Sequence, residues 1–236
     1  TTLELEYPLS EGLMAKGFVA YNKEEKAKKH GILIVHDWGG RSEFYCNLAK
    51  RFAEQEMVGF AVDMYGSATL GQTLEEKRAL AEPLKQNRPD ILIRMQAALA
   101  CIQEQPYVDA AKVAAVGYCF GGRCALDLVR SGAPLKGGIC VHGILEEPNY
   151  PQPNPIQSKV LVLHGYEDSY VPPEQLLDFT KEMTDKKVDW QLHIYGNTYH
   201  GFSKPQPEDL KTGLKYDAKA HKRAWDAMLY FLKESF

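Results

Sequence analysis

The run Val113-Ala-Ala-Val-Gly-Tyr-Cys-Phe-Gly-Gly122 places a cysteine between two glycines at Gly-x-Cys-x-Gly spacing. An apolar, strand-like stretch leads into Cys119, and helical periodicity through Leu126 and Val129 follows it. A nucleophile on such an elbow sits on a strained strand-to-helix turn. Its flanking glycines must lack side chains so that strand and helix can approach. The helix N-terminus behind it offers free N–H groups and a positive end, which favour a thiolate and a developing oxyanion. A buried structural cysteine at a glycine-rich turn would leave the same letters, so the rest of the chain has to decide.

A thiol nucleophile needs a base to take its proton and a third group to orient that base. Both occur later in the chain, each after a further apolar run. Val160-Leu-Val-Leu-His-Gly-Tyr-Glu-Asp168 ends on an acid, and Gly196-Asn-Thr-Tyr-His-Gly-Phe202 carries His200 in a loop. Glu167 is the neighbouring alternative acid, but the Gly-x-x-Asp form favours Asp168. The order nucleophile, acid, base is that of an α/β-hydrolase. A third segment, Ile32-Leu-Ile-Val-His-Asp-Trp-Gly-Gly40, sits where that fold supplies its second oxyanion donor. The donors would be the backbone N–H groups of Trp38 and Phe120. His36, Asp37, His142, His164, Asp168 and His200 could gather at one rim. No pair of them has HxxxH or HExxH spacing, so no metal is expected.

These residues need a scaffold that brings distant loops to one edge. Leu3-Glu-Leu-Glu-Tyr7 and Gly17-Phe-Val-Ala-Tyr21 alternate and predict an antiparallel hairpin-like start. After a charged turn over Lys23–Lys29, short apolar runs alternate with helical stretches. The runs are Ile32–His36, Val58–Asp63, Val113–Tyr118, Gly138–His142, Val160–His164 and Trp190–Tyr195. Runs apolar at nearly every position suit parallel strands covered on both faces. Helices are predicted from Pro89 to before Pro106, on a face of Ile91, Met95, Ala98, Leu99 and Ile102, and over Asp217–Lys233. The second presents Ala218, Trp225, Met228, Leu229 and Leu232. The expected architecture is one α/β-hydrolase domain over 1–236, with a mostly parallel sheet and helices on both faces. Residues 64–88 break the pattern and carry a short helix at most, the natural place for a lid or a substrate-contacting excursion.

Composition narrows the function classes. In 236 residues, 28 basic side chains against 31 acidic ones give a formal charge of -3, and no basic face suggests nucleic-acid binding. The apolar runs are strand-sized and too short to span a bilayer. No leader pattern opens the chain, so the expected location is the cytoplasm, with a monomer as the default state. The five cysteines, Cys46, Cys101, Cys119, Cys124 and Cys140, show no CxxC spacing. Four of them are expected to be inert buried thiols.

With elbow, acid, base and oxyanion loop placed, the chain resembles the dienelactone hydrolase family over nearly its full length. GYCFGG and the His200-Gly-Phe202 segment carry the likeness, and Tyr216, Ala220, Ala224 and Trp225 fit the family's final helix. The resemblance implies hydrolysis of small lactones or esters through an acyl-thiol intermediate, without cofactor, by Cys119, Asp168 and His200. It also implies thiolate activation at Asp37, where the founding enzymes carry glutamate; bracing of the oxyanion loop is the alternative role. Where those enzymes bind a substrate carboxylate with arginines, this chain offers Lys204 and, within 64–88, Arg78. Thioesterase or general carboxylesterase activity on the same triad, or a catalytically silent binding protein, are the rival readings.

Overall fold

A computed structural model describes residues 1–10, 12–24, 27–206 and 208–236. Eight strands form one sheet in the order β1-β2-β4-β3-β5-β6-β7-β8. β1 (Thr2–Ser10) and β2 (Leu13–Ala20) are the expected antiparallel pair, and β2 runs antiparallel to β4 (Val58–Ala61). From β4 onward every pairing is parallel, through β3 (Lys29–Val35), β5 (Val108–Tyr118), β6 (Gly137–Val141), β7 (Lys159–Gly165) and β8 (Trp190–Tyr195). Of the charged turn over Lys23–Lys29, Glu25 and Lys26 lie outside the described residues. Lys29 is not part of a solvated turn, because it opens β3 and is buried.

The central strands send alternate residues to opposite faces, as a period of two requires. Leu33, Val35, Val113 and Ala115 meet one apolar layer, closed by α3 (Arg88–Gln103), α4 (Phe120–Arg130) and α5 (Pro173–Asp185). Ile32, Ile34, Ala114 and Val116 meet the other, closed by α1 (Glu43–Glu54) and α6 (Ala218–Ser235). Each fully buried aliphatic or aromatic side chain contributes about 1.5–3 kcal/mol to this sandwich. The apolar face of α6 differs in phase from the expectation. Ala220, Ala224, Met228, Phe231 and Leu232 are buried, whereas Ala218 is exposed. Trp225 and Leu229 are half-buried at the edge, where Trp225 stacks under the Arg51 guanidinium at 3.8 Å.

The 64–88 excursion is more ordered than its sequence suggests. It contains a 13-residue helix, α2 (Leu74–Gln86), with a reciprocal capping box. Thr73 Oγ1 accepts from the Glu76 N–H at 3.1 Å, and the Glu76 carboxylate accepts from the Thr73 N–H at 3.1 Å. Only Ala81 and Leu84 of this helix are buried, so its end signals rather than an apolar face define it. The turn before it is held by Asp63, fully buried, whose carboxylate accepts from the backbone N–H groups of Lys16, Tyr65, Gly66 and Ala68. Opposite, Arg130 is fully buried and binds the Glu182 carboxylate through Nε and Nη2 at 2.9 and 2.6 Å. It also donates to the carbonyls of Leu145 and Glu146, which ties the loop after β6 to α4 and α5.

Candidate active site

Cys119 stands between β5 and α4 with φ 54° and ψ -115°, a left-handed value for a non-glycine residue and a store of backbone strain. Two glycines make the turn feasible. A Cβ on Gly117 would run into the carbonyl of Gly121, and one on Gly121 into the carbonyls of Val35 and His36. The Cys119 N–H donates to the Val141 carbonyl at 3.0 Å, fixing the elbow to the next strand.

The loop after β8 brings His200 to this thiol, with Nε2 3.1 Å from Cys119 Sγ. On its other side Nδ1 lies 2.7 Å from Asp168 Oδ2, and both residues are buried. Asp168 Oδ1 is taken by the Tyr170 N–H at 2.9 Å. Glu167, the alternative acid, is exposed. The His200 ring lies between those of Tyr170 and His142, at centroid distances of 4.6 and 5.1 Å. Burial disfavours charge on His200, but the Cys119 sulfur and the Asp168 carboxylate outweigh it and raise the imidazole pKa to about 10. A protonated imidazole facing sulfur is what a thiolate needs as its counter-ion.

The loop after β3 closes the other side. The Asp37 carboxylate accepts from the Gly39 N–H at 2.7 Å and from Lys204 Nζ at 2.6 Å, and the Asp37 N–H donates to the Tyr45 hydroxyl at 3.0 Å. Burial works against the charge of Asp37, yet Lys204 and the Gly39 N–H hold its carboxyl below the usual range. The Tyr65 hydroxyl donates to the Trp38 carbonyl at 3.0 Å. The N–H groups of Trp38 and Phe120 have no acceptor among the described residues. Both residues line one cleft together with Cys119, His200, Asp37 and Lys204.

Of the eight residues given a catalytic or binding role in the sequence, six therefore line one cleft, and Asp168 stands directly behind His200. Arg78 does not join them; it is exposed on α2 and absent from the cleft wall. Lys204 is there but engaged by Asp37 rather than free for a ligand. Two cations that sequence reading missed also line the cleft, Lys85 on α2 and Arg123 on α4. Arg123 lies one turn beyond Cys119, and the Thr73-x-x-Glu76 capping signal could have placed Lys85 on a helix. His36, His142 and His164 are held below the ordinary imidazole value, chiefly by burial. No cluster among the described residues is built to hold a metal ion.

The bonds of Asp37 make a testable statement about its role. Asn at this position keeps an acceptor for Gly39 but sets an amide against the Lys204 ammonium. Asp37→Asn is expected to cost about 1–2 kcal/mol of stability. Because the folded carboxyl is held low, this contribution is present above the unfolded value near pH 4 and is lost as pH falls through the folded value. Melting curves from pH 3 to 8 check it: the gap to wild type should be full at neutral pH and close at the acid end. An unchanged melting temperature at pH 7 would rule out the bracing role.

The sheet and helices make the α/β-hydrolase fold. A putative carboxymethylenebutenolidase of Aquifex aeolicus is 22% identical over 232 residues, 94% of this chain and 94% of its own length. The solved structure m3DLH is 32% identical with a TM-score of 0.94, covering 100% of this chain and 98% of that one. The dienelactone hydrolase-like promiscuous phosphotriesterase P91, from metagenomic libraries, is likewise 32% identical, with a TM-score of 0.93 and the same coverage. The profile of the dienelactone hydrolase family matches residues 16–236, and the chain belongs to that family of hydrolases.

Proposed function

We propose that this protein hydrolyses small carboxylic esters or lactones through a Cys119–His200–Asp168 triad, within a single domain and without a cofactor. The observation that carries the reading is the continuous line from Cys119 Sγ through both His200 nitrogens to Asp168, at 3.1 and 2.7 Å. Asp168 fixes the imidazole with Nε2 toward sulfur, and the raised pKa of His200 keeps its proton opposite the thiolate. The thiolate attacks the carbonyl carbon, and the N–H groups of Trp38 and Phe120 hold the oxyanion. On collapse, the C–O bond breaks and His200 Nε2–H protonates the leaving alkoxide. In a lactone that alkoxide stays attached as the ring opens. His200, now neutral, takes a proton from water, whose oxygen attacks the thioester and releases the acid and Cys119. All five cysteines are free thiols, which suits the reducing cytoplasm.

The cleft also supports a charge preference. Lys85, Arg123 and Lys204 face it against the single carboxylate of Asp37 among its described lining residues. Lys204 is engaged by Asp37, Arg123 by Glu146 at 3.1 Å and Lys85 by Glu82 at 3.7 Å, so an anionic substrate group would compete with Glu146 and Glu82 for Arg123 and Lys85. The deciding experiment is a panel of lactones and esters, with and without a carboxylate, assayed on the purified protein. Turnover of any of them separates an enzyme from a silent binding protein. A preference for anionic members on the order of tenfold is expected, eroding in part with salt because partly exposed charges are screened within about 10 Å at 0.1 M. Arg123→Met should reduce that preference while leaving the neutral substrate nearly untouched. Equal or better cleavage of neutral esters by the unmutated enzyme would end the charge reading and leave the triad standing. A phosphotriester is a second substrate class worth including, since a full-length structural relative is described as a promiscuous phosphotriesterase. The same thiolate and N–H pair could meet a phosphoryl group.

A further inference from the structure

We propose that His36 is a positioning residue of the oxyanion hole, orienting the Asp37–Trp38 peptide so that the Trp38 N–H faces the substrate carbonyl. The inference rests on the hydrolase reading above and explains how one of its two donors is held.

His36 is fully buried at the end of β3, packed between the rings of Tyr45 and Tyr65 at 6.2 and 4.8 Å. Its two nitrogens have partners of opposite and unambiguous kind. The Met64 backbone N–H, which can only donate, lies 3.2 Å from Nε2. The Asp37 carbonyl, which can only accept, lies 2.6 Å from Nδ1. The pair of contacts therefore requires one neutral tautomer, with the proton on Nδ1 and a lone pair on Nε2. Burial favours the same uncharged state.

The consequence follows from peptide geometry. In a planar trans peptide the C=O and N–H point in opposite directions. Pinning the Asp37 oxygen inward on His36 turns the N–H of the same peptide, which belongs to Trp38, outward. The Gly40 N–H adds a weaker second bond to that oxygen at 3.3 Å. The Trp38 N–H has no acceptor among the described residues, and Trp38 lines the cleft that contains Cys119. The next carbonyl, of Trp38, is held separately by Tyr65. A chain of bonds thus runs from the start of the 64–88 excursion, through His36, to an oxyanion donor.

Two substitutions divide the two bonds of His36. His36→Asn places an amide near Nδ1, able to donate to Asp37, and gives up Met64. His36→Gln reaches the position of Nε2 and gives up the Asp37 carbonyl. Both should lower the melting temperature by similar amounts. Only His36→Gln should lose about 10²-fold in kcat on an ester, with little change in KM, as expected for a lost oxyanion donor. Alkylation of Cys119 by iodoacetamide uses no oxyanion hole, so both variants should be alkylated at the wild-type rate. Equal activity losses in the two variants, or a parallel loss of alkylation, would overturn the proposal. Should neither variant fold, the nitrogen NMR signals of His36 in the wild-type protein decide it. A proton on Nδ1 supports it, and one on Nε2 overturns it. Failure of the wild-type enzyme to turn over any ester would instead strike the hydrolase reading.

Discussion

Cys119→Ala is expected to remove at least about 10³-fold of kcat/KM on esters and lactones while the protein stays folded. The loss is large because the covalent route has no second nucleophile at 3.1 Å from His200 Nε2. Alkylation gives an independent reading of the same residue. Cys119, with His200 Nε2 at 3.1 Å to act as its base and counter-ion, should be alkylated ahead of every other thiol of the chain. The other thiols work as internal controls. Burial pushes Cys101 up to about 11, Cys140 up to about 12 and Cys124 well above its ordinary value. Mass spectrometry after brief iodoacetamide treatment at pH 6 should therefore find Cys119 modified first and activity lost in step. Faster labelling of Cys46, which lies 3.2 Å from Arg41 Nη1, with activity retained, would refute the nucleophile assignment.

The site was legible in the sequence where covalent geometry dictates residue type. Gly117 and Gly121 are there because a Cβ at either would strike backbone, so their spacing around Cys119 marks the turn in the sequence itself. Asp168 and His200 followed from strand order, since each comes after a parallel strand whose C-terminal end reaches the same sheet edge. Pairings across the chain left no such trace. Lys204 read as a free cation because nothing local shows Asp37, from the opposite loop, closing on it at 2.6 Å. The helix α2, at 13 residues, exceeds the short helix the sequence allows for a different reason. It buries only Ala81 and Leu84, so the apolar period that revealed α3 is absent, and its stability comes from the Thr73 and Glu76 cap. His36 read as an ordinary buried histidine at a strand end. Its two backbone partners are Asp37 beside it and Met64 beyond the neighbouring strand, and the second leaves no trace in the local sequence. Arg130, fully buried, and Glu182, half-buried, likewise form their ion pair across α4 and α5, where separate helical patterns predict neither partner.

Asp168→Asn should be almost as damaging as removing the nucleophile, although it changes no more than one atom type. The carboxylate has two acceptors in use, Oδ2 on His200 Nδ1 and Oδ1 on the Tyr170 N–H. An amide has one acceptor oxygen. If that oxygen stays on Tyr170, the amide NH₂ faces Nδ1 and forces the ring proton onto Nε2, which can then take nothing from the thiol. If it turns to His200, the NH₂ meets the Tyr170 N–H donor to donor. Either arrangement removes the negative charge behind the imidazole, and the expected cost is about 10³–10⁴-fold in kcat. Glu167→Gln, beside it but exposed, should leave kcat unchanged. The pH dependence of stability has a definite sign. The folded pKa of His200 is raised, so the stabilisation from its charged form is fully present below the unfolded value near 6.5 and is lost as pH rises through about 10. The gap in melting temperature between wild type and Asp168→Asn should therefore be widest near pH 6 and narrow toward pH 10. Labelling of Cys119 at pH 6 should slow in the same variant, since the imidazolium that sustains the thiolate is weakened. Wild-type turnover by Asp168→Asn would show that His200 needs no acid, and a gap that widens toward pH 10 would show that the charge on His200 is not what Asp168 sustains.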